Sequence, residues 1–404
     1  MNRRIFITGY GIITSIGNNA PENYRSLIAR KCGFGSLEFL DTIHKHDLPA
    51  CEIKFSDLQL SELAGVLPNK GYTRTVLLGI IAAKEAISMA GLTPDEISSA
   101  GLLSATTTGG IRELEKYYYQ LQDPDQHGDF EIYADTANPG EHSERMADLL
   151  GFRNYIGTIS TACSSSANTI MLGARLIKNG ELETAICGGT EALSKFTING
   201  FNSLMILDHE HCRPFDISRK GLNLGEGAAY LVLESEDAIK RSGRKPVAEL
   251  KGYGNTNDAF HQTASSPDGA GAFLAINMAL NAAAIPASAV SYINTHGTAT
   301  ENNDLSEGLA IEKIFGKQVP PFSSTKPYTG HTLAAAGSIE AVYCLMAIRQ
   351  QVIFPNINFK TRMEELTITP EQELVEDVTL TNVLSNSFGF GGNVSSLLFA
   401  ALKT

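Results

Sequence analysis

Three separate segments of the 404-residue sequence place a nucleophile, an imidazole or an amine beside small residues. In the first, Ser160–Ala167, Cys163 follows an apolar run and precedes a stretch of helical period. Free N–H groups and the positive end of the dipole at a helix start favour thiolate over thiol, and thiolate is the nucleophile. Taken alone, Cys163 is more simply explained as a small buried residue beside a helix cap. Its interpretation therefore depends on partners elsewhere in the chain.

Two further segments supply such partners. Ser291–Thr300 runs from an apolar strand into a Gly/Thr-rich turn that contains His296, and α/β folds usually place their chemistry at strand ends. Ser323–Thr332 places Lys326 and His331 on one loop before an Ala-rich helix. Singly, such residues are usually satisfied or solvated polar groups. Because all three segments share the order strand, small-residue turn and helix, together they favour nucleophilic catalysis.

A glycine-rich loop, Asn386–Asn393, lies between two predicted strands near the end of the sequence. It can be an ordinary β-turn. It can also be a flexible gate whose backbone N–H joins that of Cys163 in binding an oxyanion.

The composition excludes several classes of function. A net charge of -12 argues against a broad nucleic-acid-binding face, which needs clustered Lys and Arg. The six cysteines show neither CxxC pairs nor Cys/His zinc spacing, so we expect no metal site. No run of about 18 apolar residues occurs, so we expect no membrane span and a reducing, cytoplasmic setting.

The order of the predicted elements indicates an α/β protein with covered sheets. Val-, Ile- and Leu-rich runs predict strands over 4–9, 101–106, 155–160, 184–188, 228–233, 246–253, 290–294, 383–387 and 394–400. Helical spacing is clearest over 73–90, 139–150, 163–179, 269–284, 303–315 and 336–350. The element order also suggests a duplication, with one half over 1–240 and a second over 241–404.

These motifs closely resemble the elongating β-ketoacyl-acyl-carrier-protein synthases, the Cys-His-His condensing enzymes of type II fatty-acid and polyketide synthesis. The resemblance spans essentially the whole chain. It rests on TACSSS, NTHGTAT, STKPYTGHT and NSFGFGG, together with RPFD, GEGAA and DAFHQT.

The resemblance implies a thiolase fold of duplicated βαβαβαββ halves in five layers, αβαβα, assembled as a homodimer or as a heterodimer with a related subunit. It also implies decarboxylative condensation of an acyl thioester on Cys163 with malonyl-acyl-carrier protein, which releases CO2. No cofactor is then bound by the chain itself, because the substrates are carried on the phosphopantetheine of acyl carrier protein.

Roles for individual residues follow from the same resemblance. His296 and His331 would donate from neutral Nε2 to the malonyl thioester oxygen, with Lys326 fixing the surroundings of His331 and Glu340 the wider hydrogen-bond network. Phe390 would gate the acyl pocket and add the second oxyanion N–H. The remaining expected positions are the pantetheine-binding Thr263, Thr298 and Thr300, the pocket residues Thr108, Leu222 and Phe388, and the supporting Asp258.

Three positions and one stretch depart from the family pattern. Thr108 would make one wall of the acyl pocket smaller and more polar, Leu222 stands where many relatives have phenylalanine, and Asn393 alters the gating loop. The stretch that relatives use to meet acidic carrier proteins, 69–74, offers only Lys70 and Arg74. These differences suggest a specialised polyene or polyketide synthase.

Two alternatives remain open from the sequence. One is a hydrolase or non-elongating acyltransferase that uses Cys163 with a single histidine. The other is a silent partner that shapes the pocket of another synthase, although the retained cysteine argues against that role.

Overall fold

The computed structural model describes residues 3–68 and 70–402, which form ten β-strands and thirteen α-helices. The strands are β1 Ile5–Thr14, β2 Gly101–Ala105, β3 Tyr155–Ile159, β4 Thr184–Glu191, β5 Gly227–Ser235, β6 Ala248–Asn257, β7 Tyr292–Asn294, β8 Phe322–Ser323, β9 Asn382–Gly389 and β10 Asn393–Ala400. The helices are α1 Ala20–Ile28, α2 Asp57–Ala64, α3 Arg74–Ala90, α4 Pro94–Ser99, α5 Ile111–Gln122, α6 Gly140–Leu150, α7 Ser165–Asn179, α8 Lys195–Ser203, α9 Glu236–Ser242, α10 Ala270–Ala283, α11 Glu301–Phe315, α12 Lys326–Thr329 and α13 Ala336–Gln350.

The longer helices begin and end where local chemistry favours it. Helix α3 starts after Thr73, whose hydroxyl accepts a hydrogen bond from the Val76 N–H, and it ends at Gly91 in the left-handed conformation. Gly180 ends α7 in the same way. Each predicted helix is present within two residues of its expected bounds, with α7 starting at Ser165, just after the candidate nucleophile.

The sheet shows the duplication directly. The strands lie in the order β3-β2-β4-β5-β1-β6-β10-β9-β7-β8, so the first five strands are mirrored in order by the second five. In each half the second strand from the outer edge, β2 or β7, is parallel to both of its neighbours. The remaining pairs within each half are antiparallel. Two residue pairs between β1 and β6 join the halves.

The helices form three layers around the two halves of the sheet. Helices α7 and α13 pack against each other and lie between the halves, where the largest apolar cluster is buried. Helix α3 covers the outer face of the first half with α6 beside it, and α10 covers the second half with α11 beside it. The result is the five-layered αβαβα arrangement that the resemblance implies. Within the described residues, no helix is long and apolar enough to cross a bilayer.

One buried ion pair fixes the start of α3 against the loop before β5. Arg74 is fully buried, and its Nε and Nη2 atoms donate to the Glu226 carboxylate at 3.0 and 2.6 Å. Nη1 also donates to Asp57 at 2.9 Å. The expectation that Arg74 faces a carrier protein is therefore wrong, because its guanidinium is buried and paired with Glu226 and Asp57. Lys70 is exposed, whereas Asn69 lies outside the described residues.

Candidate active site

The three chemistry-bearing segments converge on one cavity of about 360 Å³. The end of β3 leads to Cys163, the end of β7 to His296, and the turn after α12 to His331. Ten of the predicted site residues line the cavity: Cys163, Leu222, Asp258, Thr263, His296, Thr298, Thr300, His331, Phe388 and Phe390. Because both halves of the fold contribute, the site depends on the duplication being folded as one unit.

Cys163 occupies a tight turn directly before α7. The preceding residue, Ala162, has a φ of 53°, a left-handed conformation that is uncommon for a residue with a side chain and is often found at functional sites. The turn is also pressed against the glycine loop, since a Cβ on Gly389 would meet the Thr161 carbonyl oxygen at 2.6 Å. Glycine at this position therefore lets the loop approach the nucleophile.

The protonation state of Cys163 differs from the sequence expectation. Burial raises the pKa of the Cys163 thiol to about 12, although Lys326 and the backbone N–H of Phe390 lower it in part. The position before a helix start is as predicted, but desolvation outweighs the influence of the helix and the lysine. The free protein therefore holds the residue as a thiol at neutral pH.

Both histidines use Nδ1 as a hydrogen-bond acceptor. Lys326 Nζ lies 3.3 Å from Nδ1 of His296, and the backbone N–H of Leu333 donates to Nδ1 of His331 at 3.2 Å. A lysine ammonium and a backbone N–H can only donate, so both Nδ1 atoms accept and the neutral rings carry their protons on Nε2. The ring centroids lie 5.4 Å apart.

Electrostatics keep both imidazoles neutral. Burial, the Lys326 ammonium and His331 hold the pKa of His296 well below its ordinary value. Burial and Lys326 likewise hold the pKa of His331 well below its ordinary value. Both rings can therefore donate a hydrogen bond without first losing a proton.

Lys326 lies behind the cavity and contacts His296, which corrects the expectation that it fixes His331. Its Nζ atom donates to the carbonyl oxygen of His296 and to Oε1 of Glu340. Lys326 and Glu340 are each 2% exposed. Burial raises the pKa of Glu340 to about 7, a shift that the Lys326 ammonium opposes. Lys326 thus reaches His331 only through its charge.

Glu307, which the sequence did not single out, holds the turn that carries His296. Its carboxylate accepts from the backbone N–H groups of His296 and Gly297 at 2.9 Å each and from Asn386 Nδ2 at 3.0 Å. It joins the β7 turn to β9 and so aligns two parts of the site. The sequence feature that could have indicated Glu307 is an acidic residue in the helix that follows a Gly/Thr turn. Such a residue commonly accepts hydrogen bonds from the free N–H groups of the turn.

The glycine loop is tied to the nucleophile by Asn393. Its Oδ1 atom accepts from Ser164 Oγ at 2.7 Å, Asn168 Nδ2 at 2.8 Å and Asn255 Nδ2 at 3.0 Å. Phe390, on the same loop, stacks against Phe201 with ring centroids 5.8 Å apart. The departure at Asn393 therefore gives the loop a specific set of contacts to the start of α7.

Both polar and apolar residues line the cavity. The hydroxyls of Thr298 and Thr300 lie 2.9 Å apart, and Thr263 is exposed nearby. Asp258 accepts from the Ser266 N–H at 2.8 Å and so supports the loop that contains Thr263. The apolar lining includes Phe201, Met205, Ile206, Leu222, Phe388 and Val394.

Thr108 is not among the residues that line this cavity. Its hydroxyl donates to Oε1 of Glu191 at 2.8 Å, and the same carboxylate accepts from Thr106 and Thr107. A buried carboxylate requires such donors, and the Thr108 hydroxyl is one of them. The place of Thr108 at the acyl pocket stays a prediction.

The arrangement combines a thiol nucleophile with two neutral imidazoles that line the same cavity. Hydrogen-bond donors held in a dry site stabilise oxygen atoms on which negative charge develops. A site of this kind can transfer an acyl group to the thiol and can stabilise an enolate formed nearby.

Comparison with known proteins gives matches over almost the whole chain. The family described as "Beta-ketoacyl synthase, N-terminal domain" matches residues 2–238, and "Beta-ketoacyl synthase, C-terminal domain" matches residues 247–360. Proteins named 3-oxoacyl-[acyl-carrier-protein] synthase 2 are 32% identical in Staphylococcus aureus (strain COL) and 35% identical in Synechocystis sp., each alignment covering 98% of both chains.

Two solved structures are similar over all of both chains. The ishigamide ketosynthase/chain length factor has a TM-score of 0.92 and 30% identity. A type II polyketide synthase acyl-carrier protein in complex with its ketosynthase bound to the hexaketide has a TM-score of 0.88 and 26% identity. The predicted thiolase-type ketosynthase fold is confirmed by these similarities.

The buried thiol predicts the pH dependence of Cys163 alkylation. Below a pKa of about 12 the thiolate fraction rises about tenfold per pH unit, so the rate with iodoacetamide should rise in proportion between about pH 7 and pH 9. Mass spectrometry of the Cys163 peptide measures this rate, with the half-buried Cys32 as an internal comparison. A rate for Cys163 that levels off below about pH 8 would contradict the assignment.

Proposed function

The chain belongs to the β-ketoacyl synthase family, and we propose that it condenses an acyl group held on Cys163 with a malonyl group held on acyl carrier protein. The observation that carries this proposal is the convergence of Cys163, His296 and His331 on one cavity, with both histidines able to donate from Nε2. A hydrolase needs a single histidine base. The second neutral donor therefore favours condensation over hydrolysis.

In the first step the acyl group moves to Cys163. The sulfur attacks the carbonyl carbon of the acyl-carrier thioester, and the carbon–sulfur bond to the carrier breaks. The proton of the Cys163 thiol goes to the departing pantetheine sulfur, which leaves as a thiol. The N–H groups of Cys163 and Phe390 stabilise the oxyanion of the tetrahedral intermediate.

In the second step malonyl-carrier protein loses CO2. The bond between the α-carbon and the carboxylate breaks, and its electron pair forms an enolate whose oxygen lies against the Nε2–H groups of His296 and His331. Because both rings are neutral before the reaction, neither has to lose a proton to donate. The dry surroundings strengthen these two hydrogen bonds.

In the third step the enolate carbon attacks the thioester carbonyl on Cys163. The oxyanion that forms is again bound by the backbone N–H groups of Cys163 and Phe390. The carbon–sulfur bond to Cys163 then breaks, and the β-ketoacyl product remains on the carrier protein. The Cys163 thiolate then takes a proton from solvent, which restores the buried thiol. The cycle follows a ping-pong sequence.

The phosphopantetheine arm of the carrier supplies both substrates, so the proposal requires no cofactor bound by the chain. The hydroxyls of Thr298, Thr300 and Thr263 at the opening would hold that arm. Since the free cysteines of the chain persist in a reducing compartment, we place the reaction in the cytoplasm.

We further propose that the acyl chain is a polyketide or polyene intermediate, with saturated fatty-acid elongation as the second candidate. The support is the similarity to the ishigamide and hexaketide-bound ketosynthases together with Leu222 and Asn393 at the site. The similarity to the 3-oxoacyl synthases of Staphylococcus aureus and Synechocystis favours the second candidate.

The outer edge of the sheet offers a surface for contact with a second subunit. Strand β3 is the outermost strand of the first half, and its five residues are all half-buried with one edge unpaired in the described part of the chain. An edge of this kind readily pairs with another strand. We propose a dimer, either of two copies or with a related subunit such as the chain length factor of the ishigamide protein.

The histidines should control decarboxylation individually. His296→Ala or His331→Ala removes one donor to the enolate oxygen, and each should slow CO2 release from malonyl-carrier protein roughly 10²- to 10³-fold. Acylation of Cys163, measured by mass spectrometry, should be affected less. Cys163→Ala should abolish elongation. Unchanged CO2 release in both histidine variants would refute the assignment.

The acyl preference distinguishes the two substrate classes. Carrier proteins loaded with acyl chains of graded length and unsaturation are incubated with the protein, and acylation of Cys163 is followed by mass spectrometry. We expect the fastest acylation with unsaturated or β-keto chains. A preference for saturated chains of about eight to fourteen carbons would support fatty-acid elongation instead.

A further inference from the structure

Glu191, the last residue of β4, is a fully buried carboxylate to which the proposed cycle gives no part. Within residues 3–68 and 70–402 no lysine, arginine or histidine pairs with it, so hydrogen bonds must satisfy it. Five of them come from the turn after β2. The hydroxyls of Thr106 and Thr108 and the N–H of Thr108 donate to Oε1, whereas the N–H and hydroxyl of Thr107 donate to Oε2. The turn Thr106–Thr108 therefore fixes the position of the carboxylate.

The sixth donor comes from the second half of the chain. The N–H of Ala334 donates to Oε2 of Glu191 at 3.3 Å, across 143 residues of sequence. The two segments are in close contact, because a Cβ on Gly189 would meet the Ala334 carbonyl oxygen at 3.0 Å. Glu191 therefore joins the turn after β2 to the turn that follows His331.

The turn that follows His331 has an unfavourable backbone conformation. Leu333 has a φ of 50°, in the left-handed region that is costly for a residue with a Cβ. In this conformation the N–H of Leu333 donates to Nδ1 of His331 at 3.2 Å, which leaves the proton of the neutral ring on Nε2. Such a conformation persists only where the surrounding structure holds it. The next residue, Ala334, is the one that Glu191 holds.

We infer that Glu191 is a positioning residue for His331, because it holds the turn whose N–H fixes the tautomer of that ring. The consequence for catalysis rests on the proposed function, in which Nε2–H of His331 binds the enolate oxygen. The backbone of His331 is held separately, since its N–H donates to the Asn223 carbonyl oxygen at 2.7 Å. His296 obtains its tautomer from Lys326, so it should not depend on Glu191.

Two conservative substitutions separate the reach of the Glu191 side chain from its charge. Glu191→Asp keeps the carboxylate but shortens the side chain by one carbon, and the donors of the threonine turn should draw it away from Ala334. Glu191→Gln keeps the length. Its amide nitrogen can face the hydroxyls of Thr106 and Thr108, which rotate to accept. Its oxygen then still faces the N–H groups of Thr107 and Ala334.

Nitrogen-15 NMR of protein with labelled histidines reads the tautomer of each ring. In Glu191→Asp we expect the Nδ1–H tautomer of His331 to become roughly five- to tenfold more populated, the change that the loss of one hydrogen bond produces. His296 should be unchanged in the same spectrum, and Glu191→Gln should match the unaltered chain. In CO2 release from malonyl-carrier protein, Glu191→Asp should lower kcat by up to about tenfold and leave KM unchanged.

An unchanged His331 tautomer in Glu191→Asp would overturn the inference. An equal shift in Glu191→Gln would also overturn it, because the effect would then follow the charge of Glu191 and not its reach. A parallel change in His296 would do the same, because Glu191 would then support the site as a whole. The tautomers are measured without substrate, so an absence of CO2 release by the unaltered chain would count against the proposed function alone.

Discussion

The buried Lys326 ammonium meets Glu340 on one side and His296 on the other, and the remaining site depends on this contact. A charge in such a place is tolerated only when its hydrogen bonds are satisfied by oppositely charged or accepting groups. Lys326 obtains them from the Glu340 carboxylate and the His296 carbonyl oxygen. In return it directs Nδ1 of His296 to act as an acceptor, and its charge disfavours a proton on either imidazole. One amine therefore fixes the tautomer of one ring and adds to the burial that keeps both rings neutral.

Burial has opposite effects on the groups that share the cavity. It keeps the histidines neutral, the form in which they can donate to an enolate oxygen. It also raises the pKa of Cys163, which makes the resting nucleophile a thiol. The two effects are compatible in the proposed cycle because the thiol proton leaves with the departing pantetheine sulfur. In that cycle the same desolvation would strengthen the N–H groups of Cys163 and Phe390 as donors to the oxyanion.

The sequence predicted the long elements and three residues that meet at one cavity, Cys163, His296 and His331, because both have local signatures. Apolar periodicity located α3, α7 and α13, and the small-residue turns located Cys163 and His296. Contacts between distant segments left no such signature. Arg74 is buried against a carboxylate 152 residues away, and Lys326 meets the imidazole 30 residues before it instead of the nearer His331.

Short elements and the directions of side chains also could not be predicted from the sequence. Strand β8 has only two residues, too few to show alternation. Nothing in the sequence indicated that the Thr108 hydroxyl would donate to Glu191. The glutamate that holds the His296 turn, Glu307, became recognisable only when the helix and the turn were seen together.

The tautomers of His296 and His331 are the most direct test of this account, and nitrogen-15 NMR of the nine labelled histidines can measure them. Replacement of each residue by glutamine assigns its signals. The contacts of Lys326 and Leu333 predict that both rings are neutral and carry their proton on Nε2 from about pH 8 down to about pH 6. An imidazolium in that range, or a proton on Nδ1 of either ring, would contradict it.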